Sequence, residues 1–124
     1  MGPLKAASLP EFNMPHNEKT LRIRALNDAL RTTLKGGRIM LTARVSALGP
    51  PHVTGLINAL RQFDRFDEGN DPYGEHDFGA FDHEGQKFFW KIDYYDRSLN
   101  AHSDDPSDPD KTVRVLTLMR ADEY

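Results

Sequence analysis

Residues 77–95 constrain the fold more than any other stretch, because two aromatic runs, residues 77–82 and 86–95, flank His83-Glu84-Gly85. A short glycine-containing connection between two strand-like runs signals a β-hairpin. With Glu84 and Gly85 as the turn residues, Asp82 is expected to face Lys87, Phe81 Phe88, Gly79 Trp90, Asp77 Ile92 and His76 Asp93. Side chains alternate across a sheet, so Phe81, Phe88, Trp90, Ile92 and Tyr94 share one face, with Gly79 leaving room for the indole. That face is the expected core. The opposite face carries Phe78, Ala80, Phe89, Lys91 and Asp93.

The remaining elements follow from periodicity. Over residues 18–35, Ile23, Leu26, Leu30 and Leu34 recur at three or four, with Asn17 as N-cap and Gly36-Gly37 as the stop: an amphipathic helix. Its other face, Lys19, Arg22, Arg24, Arg31 and Lys35, reads as solvated. Residues 38–45 alternate as a half-buried strand, with Ile39, Leu41, Ala43 and Val45 on one side. Pro50-Pro51 opens a second helix whose stripe is Val53, Leu56, Ile57, Leu60 and Phe63, running to about Phe66. Gly55 inside it implies close packing. Residues 98–111, acidic and interrupted by Pro106 and Pro109, read as a mobile loop, and 112–119 as a last strand apolar enough on both faces to be central. Order α-β-α-β-β-β predicts an α+β two-layer sandwich, a four-stranded mainly antiparallel sheet with two helices on one face.

Residues 1–13 lack periodicity. Gly2-Pro3 and Glu11-Phe12 look like cloning scars, so this segment reads as a vector-derived or disordered leader before a single domain over 14–124. The 124 residues contain no cysteine, which excludes disulfides, thiolate catalysis and Cys-ligated metal. No apolar run is long enough to span a bilayer and no secretory signal is present, so the expected location is cytoplasmic, away from membranes. The net charge of −3 divides into +6 over residues 1–62 and −9 over 63–124, which reads as halves that attract each other or are solvated, the sharper alternative being a basic and an acidic face for different partners.

The candidate site is the stretch 70–79, where turn formers, His76 and the carboxylates Asp71, Glu75 and Asp77 meet the hairpin. Beside it lie Tyr73, Phe78, Phe89, Lys91 and Asp93. A His76–Asp93 pair, with Glu75 or Tyr73 near, would orient an imidazole for proton transfer, although no nucleophile accompanies it. A metal held by Glu75, His76, Asp77 and His83 is not expected, because neighbours on a strand point to opposite faces and His52 and His102 are isolated in sequence. No cofactor is called for.

The strings NDPYGEHDFGAF, FFWKIDYYD and VRVLTLMRADEY resemble the bacterial domain-of-unknown-function family DUF3768, over residues from about Leu21 to Tyr124. The resemblance brings no activity. It implies a bacterial domain often carried on plasmids and other mobile elements, and with that a host-interaction or anti-defence role. The functional expectation is a protein-binding module acting through residues 73–77 and the Phe78, Phe89, Lys91 face. A hydrolase-like or proton-transfer enzyme using His76 with Asp93 or Glu75 is the runner-up, and nucleic-acid binding through the basic first helix the third reading. The oligomeric state is not legible in the residues.

Overall fold

The computed structural model describes residues 17–124, and the expected leader lies outside the described residues. The chain runs α1 (Glu18–Thr33), β1 (Arg38–Leu41), α2 (Ala43–Ser46), α3 (Pro50–Arg61), β2 (Phe78–His83), β3 (Gln86–Tyr95), β4 (Val113–Arg120) and a closing 3-10 turn (Ala121–Glu123). The strands form an open four-stranded mixed sheet, order β1-β4-β3-β2, in which only β1 and β4 are parallel. This is the α+β class that the sequence predicts.

The hairpin forms in the expected register, with Gly79 opposite Trp90 and Phe81 opposite Phe88. Glu84 and Gly85 turn the chain with φ of 50° and 80°, the left-handed pair that a two-residue hairpin turn requires. β4 is central, as its two apolar faces demand. One cluster of buried side chains joins Phe81, Phe88, Trp90, Ile92, Tyr94, Leu116 and Leu118 from a single face of the sheet to Ile23, Leu30, Val45, Leu56 and Leu60 from the helices. Each fully buried leucine contributes about 1.5–3 kcal/mol of transfer free energy.

Three boundaries differ from expectation. Helix α3 ends at Arg61 and not near Phe66, with Gln62 as its C-cap, so Phe63 is buried from the segment beyond the helix. The first strand stops at Leu41. Thr42 then turns its hydroxyl back to accept from the Val45 N–H at 3.3 Å, capping an additional short helix, so the described residues hold three α-helices where two are expected. Val45 is fully buried on that helix, because one turn reaches the core where a continuing strand would run past it. α1 ends before the glycines: Leu34 adopts the left-handed conformation, φ 64°, and its N–H donates to the Leu30 carbonyl at 2.8 Å.

Arg31 corrects the solvated basic face, because it is 5% exposed. The acidic loop after β3 is tied down as well: Ser103, Ser107 and Thr112 are buried, with the Ser103 and Thr112 hydroxyls 2.7 Å apart. No helix among the described residues is long and apolar enough to cross a membrane.

Candidate functional site

On α1, Arg24, Asn27, Asp28 and Arg31 fall at i, i+3, i+4 and i+7, one ridge of the helix. The loop between α3 and β2 docks on this ridge. Arg24 Nε donates to the Gly74 carbonyl at 2.7 Å and Asn27 Nδ2 to the Glu75 carbonyl at 3.0 Å. Asp28 Oδ1 meets His76 Nδ1 at 2.8 Å, and Arg31 reaches the Leu60 and Arg61 carbonyls. The loop also shapes itself. Asp67 Oδ1 accepts from the Gly69 and Asn70 N–H groups, and Asp71 Oδ1 accepts from the His76 N–H at 3.0 Å.

Behind the loop lies a buried polar network. Fully buried Asn27 donates to the Tyr94 hydroxyl at 2.8 Å and accepts from Arg114 Nε at 2.8 Å. The Tyr94 hydroxyl in turn donates to Glu75 Oε1 at 2.8 Å. Arg114 is 2% exposed; it also donates to the Pro106 carbonyl and lies over the Tyr94 ring. Burial lowers the Arg114 guanidinium, and burial, with the neighbouring Glu75 adding to it, raises the Tyr94 phenol, which stays protonated.

The expected His76–Asp93 pair is not made. His76 has φ 57°, so the chain leaves the strand before it and turns the imidazole toward α1. There the ring stacks on Phe66, centroids 3.7 Å apart, with Asp28 on Nδ1 and Asp71 Oδ2 at 3.7 Å from Nε2. Asp28 Oδ1 is shared with Arg31 Nη2 at 3.2 Å. His76 is therefore a clasp between loop and helix, at the wall of a cleft of about 270 Å³ that Arg24, Asp71 and Pro72 also line. Asp93 instead holds Lys91 Nζ at 2.9 Å, and that hydrogen bond raises the Lys91 ammonium.

Pairing between β2 and β3 ends at Phe78–Lys91. Beyond it, Asp77, Asp93, Tyr95 and His102 line a second cleft of about 340 Å³ at the sheet edge. Burial, then the nearby Glu75 and Asp71 carboxylates, push Asp77 from 3.8 up to about 6. A carboxyl raised in the fold binds its proton more tightly there than in the unfolded chain. Its contribution to stability is thus complete below the ordinary carboxylate range and is lost as pH rises through about 6. Asp77→Asn removes that loss. After allowance for partial exposure, the variant is expected to exceed wild type by on the order of 1 kcal/mol at about pH 8 and to show no advantage at about pH 4 in chemical denaturation. An equal difference at both values would refute the assignment.

The structure brings Phe78, Phe89, Lys91 and Asp93 together on the sheet face away from the buried cluster. Tyr73 stands at the loop tip, 71% exposed. Glu75 and His76 are drawn inward and do not join that face. Sequence reasoning missed Tyr124, which packs against both Phe78 and Phe89, and it missed Asn27. The signal for Asn27 was present: an amide on the apolar side of α1, four residues after Ile23 and three before Leu30. It passed over Asp28 and Arg114, whose partners lie 48 and 87 residues away in the chain.

No curated protein and no solved structure matches the chain. A protein-family model does, over residues 41–123, which include β1's last residue, α2, α3, β2, β3 and β4. Its description is "Protein of unknown function (DUF3768)". The match takes in the docking loop, the hairpin and, of the aromatic sheet face, Phe78 and Phe89, and the chain belongs to the DUF3768 family.

Proposed function

We propose that the protein is a non-catalytic binding module that takes a protein partner on the sheet face away from its buried cluster. One observation carries this reading. Phe78, Phe89 and Tyr124 form a mutual aromatic cluster, with centroids 5.2, 5.8 and 5.6 Å apart, outside the buried core, and Tyr124 is 75% exposed. Such clusters supply the anchors of protein interfaces. The Lys91–Asp93 pair flanks it, and the Asp77–Asp93 cleft lies beyond. The fitting partner is a protein segment with an apolar anchor and a nearby lysine or arginine, since residues 63–124 carry a net −9. If the family's mobile-element setting holds for this chain, a host protein is the partner to seek first.

Binding is favoured over proton transfer because His76 is held by Asp28 and Phe66 as a structural clasp. It is favoured over nucleic acid because Arg24 and Arg31 are turned into the fold. The remaining helix cations include Arg22 on Glu18 and Lys19 on Asp105, both ion-paired.

The test uses a photocrosslinking residue at position 124 or, for comparison, at the helix-side position 62, in cells of the source organism. A protein joined from position 124 only is the expected result, and Phe89→Ala should weaken its affinity about 30-fold when both proteins are purified. The same adducts from both positions, or a Phe89→Ala affinity equal to wild type, would sink the reading.

A further inference from the structure

At the other end of β2 from Phe78, the fold brings a side chain of α3 to two neighbours at the hairpin tip. His52 stands in the first turn of α3, His83 ends β2, and Glu84 is the first residue of the hairpin turn. We propose that His52, His83 and Glu84 bind a divalent transition-metal ion of the zinc type, with three protein ligands and a fourth position open.

One ligand atom from each residue lies within 4.8 Å of the others. Glu84 Oε2 is 3.5 Å from His52 Nδ1 and 3.4 Å from His83 Nε2. Nitrogen and oxygen ligands about 2.0–2.2 Å from a tetrahedral zinc are separated by about 3.3–3.6 Å, whereas octahedral ligands would crowd to about 3.0 Å. The two distances therefore match tetrahedral edges. They are poor hydrogen bonds: the first is at the limit of length, and His83 Nε2 is shielded from water with no hydrogen-bond partner. A buried ring nitrogen left unbonded costs free energy that a metal would recover.

The His83 ring is also held in place. It lies edge-on to Phe88 and meets the His52 ring at 88°, centroids 5.9 Å apart. Beneath it, Gly55 leaves the necessary room, because a Cβ there would stand 2.9 Å from His83 Cε1. This is the close packing that a glycine within the α3 pattern implies. The bound ion would clip the start of α3 to the hairpin tip, and its open position would accept water or a ligand atom from a partner.

The test is calorimetric titration of the full, tag-free chain with zinc chloride, alongside visible absorption with cobalt(II). One ion per chain and cobalt bands of four-coordinate intensity are expected. His52→Ala and Glu84→Gln should each weaken binding at least about tenfold. Gly55→Ala should also weaken it, by moving the ring, while Asp82→Asn in the same hairpin leaves it unchanged. Glu84 is 66% exposed at its side chain, so Glu84→Gln keeps the fold, which far-ultraviolet circular dichroism in chelator verifies. Absence of binding to wild type, or equal affinity in His52→Ala and Glu84→Gln, overturns the proposal.

Discussion

Asn27→Leu is expected to lower the free energy of unfolding by about 3–5 kcal/mol, a large share of the stability of a domain this size. Leucine fills a similar volume on a fully buried helix position, so packing alone would make the change mild. What is lost is a hub. Without the amide, the Glu75 carbonyl and Tyr94 hydroxyl lose a donor and Arg114 Nε loses its acceptor. Arg114 is the expensive member, because a charge 2% exposed left short of an acceptor costs far more than a neutral group. Urea denaturation with an unchanged m-value measures the loss. The double variant Asn27→Leu, Arg114→Met should be less damaged than the two singles summed, since the charge goes with its acceptor. A single-variant loss below about 1 kcal/mol would mean that water or a shifted loop replaces the amide.

Gly79→Ala should cost about 2–4 kcal/mol by overpacking. A Cβ at residue 79 would lie 2.7 Å from Trp90 Cε2 and 2.8 Å from Phe63 Cε1, and closer still to the indole nitrogen. Neither ring can yield, because Trp90 is fully buried and Phe63 is 6% exposed between it and Phe66. The backbone is not the reason, as Gly79 is absent from the positive-φ glycines. Trp90 is the chain's one tryptophan, so its fluorescence should shift together with the melting temperature. Unchanged emission with a neutral stability effect would contradict the packing.

Both variants act on the attachment of the hairpin to the rest of the fold, and both leave the aromatic sheet face untouched. Partner binding and stability are thus separable: Phe89→Ala should weaken binding while the chain still folds, and Asn27→Leu should cost stability and keep the affinity at temperatures where the chain remains folded. The Asp77 carboxyl joins the two, since its raised proton affinity costs stability at neutral pH and leaves an ionised carboxylate that an incoming cation would relieve.

The sequence by itself determined the elements whose pattern is local. Period-two alternation around Glu84-Gly85 specified the hairpin, its register and the division of Phe81, Phe88 and Trp90 from Phe78, Phe89 and Lys91, because a shift of one residue would expose the core face. Ile23 and Leu30 on α1 and the central position of β4 were legible for the same reason, whereas Leu26 and Leu34 of the expected stripe lie outside the buried cluster and Asn27 and Arg31 are buried in their stead. Tertiary structure decided the rest. His76 reads as one more strand residue until its φ of 57° carries it to Asp28. Arg31 reads as a solvated cation until α3 supplies the Leu60 and Arg61 carbonyls. Val45 continues an alternating pattern until Thr42 caps a helix that delivers it to the core. His52 and His83 are unrelated until α3 packs beside β2. Each outcome depends on a polar or packing partner distant in the chain, and periodicity, which records only which face a residue occupies, does not encode what will stand opposite it.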